Sequence, residues 1–144
     1  VKPFDLHVLT MNKPFFEGKC SSLVVPIKSG QYGILADHCN WVSVIVPGEM
    51  KLTVEGGDGK QNVITAAVAG GIVKVEHNSV LVLVDTAERP EEIDENRARR
   101  AVEMAKEQTA KQTATREYYA AQARLARAVN RLKVRTHNVI NDKF

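Results

Sequence analysis

Glycine and proline are confined to the first two thirds of this 144-residue chain. All nine glycines lie at or before Gly71, and all five prolines lie at or before Pro90. Both residue types interrupt helices and favour turns. The stretch after Pro90 is instead rich in alanine, glutamate, arginine, lysine and glutamine, which are strong helix formers. The sequence therefore predicts a β domain over residues 1–87, followed by a helical domain over residues 88–144.

The β domain carries the period-two pattern of short strands. Phe4, Leu6 and Val8 alternate with more polar neighbours, as they do in a half-buried strand. The glycine-rich stretch 56–59 predicts a hairpin turn before a strand over residues 61–68, because glycine tolerates the positive φ angles of such turns. Eight to ten short strands of this kind predict a β-sandwich or a flattened barrel.

Two segments of this domain predict unusually close packing. Residues 80–84 are five consecutive valines and leucines, which predicts a strand buried on both faces. Gly70 and Gly71 interrupt a strand pattern, which predicts a bulge or a close approach of two backbones.

The second domain has the pattern of a helical hairpin. Acidic residues crowd its start, where they suit the helix dipole. A polar, threonine-rich stretch at residues 108–115 predicts the reversal, and a second helix is predicted from residue 115 to residue 135, with frayed residues beyond it. The apolar stripe of this helix is narrow and rich in alanine. Isolated helices of this length are marginal in water, so we expect a tail that can leave its resting place.

The sequence contains no recognisable catalytic or metal-binding pattern. Lys60 follows a glycine-rich turn, but Gln61 stands where a phosphate-binding loop needs serine or threonine. The four histidines lie on separate segments without metal-ligand spacing. Cys39 lies beside His38 with no evident third group to orient the imidazole. Cys20 and Cys39 fit no paired-cysteine motif and are interpreted as free thiols. No apolar run is long enough to cross a bilayer.

One face of the second helix is strongly basic. Seven basic residues and one acidic residue occur from Lys111 to Arg135. Like charges four residues apart destabilise a helix by a few tenths of a kcal/mol per pair, so an anionic partner would offset that cost. Nucleic acid, an acidic protein surface, anionic lipid and a nucleotide are the candidates, and lipid is disfavoured because the opposite face lacks tryptophan, phenylalanine and bulky aliphatic residues. The arginines that form this stripe are Arg116, Arg124, Arg127, Arg131 and Arg135.

Four stretches together resemble the epsilon subunits of bacterial and chloroplast rotary F-type ATP synthases. Residues 29–38 resemble the family's SGxxGILPxH loop, and residues 69–88 resemble its SGGxxEV…VTVLAxxAE segment. Residues 93–98 match its (I/L)DxxRA motif, and residues 126–134 resemble its final helix. The order and spacing hold over about 135 residues. Ala36-Asp37 stands where the family has Pro-Gly or Pro-Asn, and Asn40 stands where it has proline.

The resemblance implies a ten-stranded β-sandwich followed by an antiparallel two-helix hairpin. It also implies a non-catalytic subunit of the central stalk, peripheral to the cytoplasmic face of the cell membrane. The partners implied are the gamma subunit, the c-ring and the alpha/beta subunits. The sandwich would couple proton translocation to ATP synthesis, and an extended hairpin would inhibit ATP hydrolysis. The alternative hypothesis, from the basic helix, is a nucleic-acid-binding module.

The resemblance also implies two groups of site residues. Gln31 and His38 would lie in the loop that contacts the rotor. No cofactor is implied as required, but some members bind ATP on the folded hairpin as a regulatory ligand. The positions that correspond to that nucleotide site are Glu88, Asp94, Arg97, Ala98, Arg127 and Arg131. A purely structural interpretation stays open, in which Asp94 caps the helix and Arg97 pairs across the hairpin.

Overall fold

The computed structural model describes the backbone of residues 2–111 and 115–142, and the side-chain surroundings of residues 2–108 and 119–137. The chain divides into two compact units, Val1–Arg89 and Pro90–Phe144. The first unit is all β and the second is helical, and each is described by itself below.

The first unit is a sandwich of two five-stranded sheets. Sheet A has the order β2-β1-β9-β8-β5, and sheet B has the order β10-β7-β6-β3-β4. The predicted ten-stranded β-sandwich followed by two helices is confirmed. The strands are β1 Phe4–Leu9, β2 Pro14–Cys20, β3 Ser22–Ile27, β4 Gly30–Ile34, β5 Trp41–Ile45, β6 Gly48–Glu55, β7 Gln61–Val68, β8 Gly71–Glu76, β9 Ser79–Val84 and β10 Ala87–Glu88.

One strand pair differs from the rest in direction. β1 and β9 run parallel, with Asp5 opposite Ser79 and Leu9 opposite Leu83, whereas the other pairs described are antiparallel. The first strand of the chain therefore lies inside sheet A, between the edge strand β2 and the central strand β9.

The core lies between the two sheets and is built from alternate residues of their strands. Phe4, Leu6 and Val8 of β1 point into it, as the period-two pattern predicts. Met50 and Leu52 of β6 enter it from the other sheet and are fully buried. The cluster consists of large apolar side chains from both sheets, which is the efficient way for a small domain to bury apolar area.

The prediction that residues 80–84 are buried on both faces is wrong. Val80, Val82 and Val84 are buried, but Leu81 is partly exposed and Leu83 is 38% exposed. The reason is that the outer face of sheet A carries apolar side chains that remain accessible. In β9, the uninterrupted apolar run therefore indicates one face in the core and one apolar face that stays accessible.

The turn and glycine predictions are confirmed. Gly59 has φ +77° in the hairpin between β6 and β7. The close approach predicted near Gly70–Gly71 falls on Gly71, where an added Cβ would lie 2.0 Å from the carbonyl oxygen of Leu83. Only glycine lets β8 and β9 pair at that point.

Strand β2 has no clear counterpart in the sequence pattern. It contains Pro14, Glu17, Gly18 and Lys19, which are residues that strands generally avoid. It is an edge strand of sheet A, where such residues are tolerated because one side of the strand is unpaired.

The helical unit consists of a short 3-10 helix at Pro90–Glu92, helix α1 at Glu95–Lys111 and helix α2 at Thr115–Asp142. The prediction of a frayed end after residue 135 is wrong as far as Asp142, because no glycine or proline interrupts the helix there. Residues 108–111 and residue 115, predicted in the reversal, are helical, and residues 112–114 of that predicted turn lie outside the described residues. The two helices pack along a seam of small residues, since Ala98 and Ala105 of α1 and Ala121 and Ala128 of α2 are all buried.

Candidate binding surfaces

The loop between β4 and β5, residues 35–40, is tied to two other segments of the sandwich. Asp37 has φ +62°, a left-handed conformation that aspartate, asparagine and glycine adopt most easily. This explains why the family pattern has glycine or asparagine where Asp37 stands. The Asp37 carboxylate pairs with Lys2 at 2.8 Å, and its backbone N–H donates to Asn78 Oδ1, also at 2.8 Å. These contacts therefore hold the backbone of the 35–40 loop in one conformation.

Asn78 and Asn40 complete these ties. Asn78 Nδ2 donates to the carbonyl of Pro3, and Asn40 Oδ1 accepts from the backbone N–H of His77. Asn40 stands where the family pattern has proline, so this departure contributes a contact of its own. The N-terminal segment, the 35–40 loop and the β8–β9 turn are thus fastened at one end of the sandwich.

His38 has an orienting group that sequence reasoning missed. Its Nε2 lies 2.8 Å from the Tyr32 hydroxyl, and its Nδ1 lies 2.7 Å from the carbonyl of Cys39. A carbonyl can only accept, so Nδ1 carries a proton and donates to it, and the Tyr32 hydroxyl holds the other side of the ring through Nε2. The Cys39 thiol, 3.9 Å from Nδ1, therefore has no base beside it in this arrangement.

Gln31 and His38, the predicted rotor-contact residues, lie on β4 and on the loop that follows it. Gln31 is exposed and His38 is partly buried. Between them in sequence, Leu35 is 60% exposed. Tyr32 also stacks on Trp41 of β5 with ring centroids 4.3 Å apart. An exposed leucine on a fixed loop is suited to contact another protein.

A row of apolar side chains crosses the outer face of sheet A, and sequence reasoning missed it. Val44 lies opposite Ile72, Ile72 lies opposite Leu83, and Leu83 lies opposite Leu9. Val44 is 65% exposed, Ile72 is 43% exposed, and Leu9 is partly exposed. We call these four residues the outer apolar row. The signal was present in the uninterrupted apolar run of β9, which the sequence analysis assigned to the core.

The motif at residues 93–98, at the start of α1, has a structural role. Asp94 Oδ1 accepts the backbone N–H of Arg97 at 3.1 Å, which is the geometry of a helix N-cap. The side chains of Asp94 and Arg97 are exposed, whereas Ala98 is buried against the hairpin seam. Capping uses one carboxylate oxygen of Asp94, so the other oxygen is available to accept from a ligand.

The bounds of the two helices allow the positions of the predicted nucleotide site to be compared along the hairpin. In an antiparallel pair, residues equally far from the facing helix ends lie level. Ala98 of α1 and Ala128 of α2 are equally far from the facing helix ends, and both are buried. By the same count, we expect Arg131 to lie about level with Glu95, near the start of α1. Arg127 lies one turn away.

The remaining predicted residues are distributed differently. Glu88 belongs to the sandwich unit, in β10. Arg124 is exposed, whereas Arg127, Arg131 and Arg135 are partly covered. The Nε of Arg135 is buried and finds no hydrogen-bond partner among the described residues. The side chain of Arg116 lies outside the described residues.

Metal and membrane features were sought in the same part of the chain. Within the described residues, no group of three or more histidine, cysteine, aspartate or glutamate side chains is placed to hold a metal ion. Neither described helix combines the length and the apolar character needed to cross a membrane. Both cysteines are free, with Cys20 buried and Cys39 exposed.

Known families match both units in order. Residues 3–90 match the family described as ATP synthase, Delta/Epsilon chain, beta-sandwich domain, and residues 91–135 match ATP synthase, Delta/Epsilon chain, long alpha-helix domain. The chain belongs to the ATP synthase delta/epsilon family. The nucleic-acid-binding alternative gains no support from these matches.

Relatives in this family are similar over most of their length. The ATP synthase epsilon chain of Ruminococcus albus is 42% identical over 132 residues, which cover 91% of this chain and 95% of that protein. The ATP synthase epsilon chain of Ruminiclostridium cellulolyticum is 37% identical over 129 residues, which cover 90% and 92%.

Solved structures share the fold. A chain of the Euglena gracilis mitochondrial ATP synthase superposes with a TM-score of 0.73 at 19% identity, covering 89% of this chain and 78% of that one. A chain of the Tetrahymena thermophila mitochondrial ATP synthase superposes with a TM-score of 0.63 at 16% identity, covering 91% and 95%.

Proposed function

We propose that this delta/epsilon-family chain is a non-catalytic rotor subunit of an F-type ATP synthase, peripheral to the cytoplasmic face of the membrane. In this role it couples proton translocation to ATP synthesis and restrains ATP hydrolysis. The observation that carries the proposal is the match of both units, in order, over residues 3–135. Two structural features support it: the sandwich has an exposed apolar surface, and the two helices of the hairpin pack through small side chains.

The sandwich is the attachment unit in this proposal, and its partners are the gamma subunit and the c-ring. Two features support this role: the outer apolar row and the fixed 35–40 loop with its exposed Leu35. Exposed apolar area that is rigidly held loses little conformational entropy on binding, so it favours association. Residues 31–38 provide a second contact with the rotor.

The hairpin is the regulatory unit. Its seam consists largely of alanine, and each buried methyl group contributes only about 0.8 kcal/mol. The helices can therefore separate at modest cost and extend toward the alpha/beta subunits. The arginine stripe of α2 would then face acidic residues of the beta subunits and block hydrolysis. In this extended form, charge attraction replaces the seam contacts.

ATP is the regulatory ligand proposed for the folded hairpin. Arg97 and Arg131, from two helices at one end of the hairpin, would hold the phosphates. The second oxygen of Asp94 would accept from the sugar or the base. ATP at 100 times its dissociation constant would favour the folded form by about 2.7 kcal/mol, which is enough to move a near-balanced switch.

Titration of the whole chain with ATP tests this site. We expect Arg97→Ala and Arg131→Ala to weaken binding at least tenfold each, because a charge-assisted hydrogen bond contributes about 1.5–3 kcal/mol. Arg100→Ala is the matched control on the same helix, since Arg100 is exposed and its Nε bonds to the carbonyl of Asn96. Equal affinities in all three variants would remove the proposed site.

Hydrolysis by the assembled complex tests the regulatory role. A chain that ends at Arg89 keeps β10 paired with β7 and removes the whole hairpin. We expect the complex that contains it to hydrolyse ATP faster than the complex with the full chain, while ATP synthesis stays coupled. Unchanged hydrolysis would contradict the inhibitory role of the hairpin. Loss of coupling would contradict the proposal that the sandwich alone supports coupling.

A further inference from the structure

The β-turn at residues 35–38 is weakly specified by its own residues. The backbone N–H of His38 donates to the carbonyl of Leu35 at 3.3 Å, which closes the turn. Its third residue, Asp37, has φ +62°, whereas the φ of its second residue, Ala36, is negative. Among the standard turns, type II has this combination, and it favours proline at the second position and glycine or asparagine at the third. Alanine and aspartate therefore leave the turn dependent on contacts from outside it.

Asn78 supplies such a contact. Its Oδ1 accepts the backbone N–H of Asp37 at 2.8 Å, and its Nδ2 donates to the carbonyl of Pro3 at 3.2 Å. Its own carbonyl accepts the backbone N–H of Asp5, also at 3.2 Å. Because an N–H can only donate and a carbonyl can only accept, the two side-chain partners fix which side-chain atom is the oxygen. One residue therefore bonds the turn to β1 and to the segment before it.

The hairpin of β8 and β9 holds this asparagine in place. His77 and Asn78 form its two-residue loop, and their φ angles are +49° and +58°. A loop with positive φ at both central residues matches the twist of the strands that it joins, and asparagine adopts this conformation readily. The backbone N–H of His77 also donates to Asn40 Oδ1 at 3.2 Å. Both ends of the 35–40 loop are therefore bonded to one hairpin.

The ion pair between Lys2 and Asp37 is the weaker of the two ties to this turn. The Lys2 Nζ lies 2.8 Å from the Asp37 carboxylate, but the two side chains are 62% and 61% exposed. Exposed ion pairs contribute little, because water and salt screen the charges. The Oδ1 of Asn78, in contrast, is bonded to the backbone of the turn itself. Asn78 therefore acts most directly on the conformation of the turn.

We propose that Asn78 is the positioning residue of the 35–40 loop, and that it holds the exposed Leu35 in the orientation with which the loop contacts the rotor. The inference rests on the proposed function, because it assigns the support of a contact proposed there. Asn78 is 41 residues from Asp37 in sequence. The shape of this contact surface is thus set by a hairpin outside the loop.

Amide hydrogen exchange of the full chain, measured by NMR, tests the positioning. Asn78→Gly keeps a residue that tolerates positive φ and removes both side-chain hydrogen bonds. We expect the amides of Asp37 and His38 to exchange at least tenfold faster in this variant. His77→Gly is the matched control, because it places glycine at the neighbouring position of positive φ and removes a side chain that is 83% exposed. It should change these rates by no more than about twofold. Equal rates in the two variants would overturn the inference.

A turn that needs no outside support provides the second test. Ala36→Pro combined with Asp37→Gly gives the turn the two residues that type II favours. In this background, Asn78→Gly should change the exchange rate of the His38 amide by no more than about twofold, because the local residues now specify the turn. An acceleration as large as in the unmodified turn would show that Asn78 does not act through the turn, and would overturn the inference.

Proton pumping driven by ATP hydrolysis in the assembled complex tests the consequence for the rotor contact. We expect Asn78→Gly to lower the pumping per ATP hydrolysed at least twofold, and His77→Gly to leave it unchanged. Leu35→Asp alters the proposed contact itself and should lower pumping as well. If Leu35→Asp lowers pumping and Asn78→Gly does not, the positioning role is overturned and the proposed contact stands. If neither lowers it, the proposed contact fails and this inference falls with it.

Discussion

The sandwich and the hairpin bury apolar residues of very different size. The sandwich core is filled by phenylalanine, leucine, isoleucine, methionine and valine side chains from two sheets. In the helical unit, four of the seven buried apolar residues that the structure describes are alanine. Buried apolar area provides most of the favourable free energy of folding. The large core side chains therefore stabilise the sandwich strongly, whereas the alanine seam stabilises the packing of the two helices weakly. In the proposed function, this difference separates the unit that attaches from the unit that regulates.

The largest expected effect comes from a cavity in the sandwich. Leu52 is fully buried, and Leu52→Ala should lower the free energy of unfolding by about 3 kcal/mol. The single tryptophan, Trp41, lies in the sandwich, so its fluorescence during urea unfolding reports on this unit. In the hairpin, Val102→Ala should cost only about 1 kcal/mol by circular dichroism at 222 nm, because the lost methyl contacts are partly offset by the helix preference of alanine. Equal costs would contradict the comparison.

A second test measures how much the close approach of β8 and β9 at Gly71 matters for the stability of the sandwich. Gly71→Ala would place a methyl group 2.0 Å from the backbone oxygen of Leu83, so β8 and β9 must shift. We expect a loss of about 2 kcal/mol in the free energy of unfolding. Gly57→Ala is the matched control, since a Cβ there meets nothing within 4 Å. If Gly57→Ala lowered the free energy of unfolding as much as Gly71→Ala, the sandwich would be sensitive to any added methyl group, and the close approach at Gly71 would not be the cause.

A third test concerns the start of the hairpin. Asp94→Ala removes the side chain that caps α1 and should destabilise the first helical turn by about 1 kcal/mol. Hydrogen exchange of the amides at residues 97–99 measures the opening free energy. Asp94→Asn keeps the capping oxygen and should restore most of the loss, although it removes the charge. If asparagine and alanine behave alike, the charge of Asp94 matters and the cap does not.

The smallest expected effect is a dependence of sandwich stability on alkaline pH. Burial raises the pKa of the Cys20 thiol, because removal from water disfavours the charged thiolate. In the unfolded chain this thiol ionises near its ordinary value of about 8.5. Its contribution is therefore full below that pH and declines as the pH rises toward the folded-state pKa.

Urea unfolding at pH 7.5 and pH 9.5 measures this decline. The unmodified chain should lose more stability across that interval than Cys20→Ala does. Cys39→Ala is the control, because Cys39 is exposed and its removal should leave the pH dependence unchanged. Parallel profiles for the unmodified chain and Cys20→Ala would show that burial of the Cys20 thiol does not contribute.

The sequence predicts the architecture well where a local pattern and its burial agree. The alternation of β1, the hairpin turn before β7 and the absence of glycine and proline after Pro90 each led to the structure observed. The errors arise where burial is decided by distant partners. The run at residues 80–84 has the same pattern in a doubly buried strand and in a strand with an accessible apolar face, and only the sheet it joins distinguishes them.

The candidate sites also include features that the sequence predicts and features that it cannot predict. The capping role of Asp94 could be anticipated from its position before a helix, because capping is a local interaction. The outer apolar row could not, since Leu9, Val44, Ile72 and Leu83 come from four strands and meet only through sheet register. The hydrogen bond of Tyr32 to His38 depends likewise on the backbone turn at Asp37. The roles of the α2 arginines and of ATP remain predictions.

The parallel pairing of β1 with β9 sets the order in which this chain can fold during synthesis. β1 can form a hairpin with β2 as soon as both have left the ribosome, but its second neighbour begins only at Ser79. Closing so long a loop costs entropy before any contact repays it. Sheet A therefore stays open until nearly the whole sandwich has been made, and a nascent chain released before residue 84 would expose its core to aggregation. The hairpin is made last and is held together by local contacts, so it can form without waiting for a distant strand.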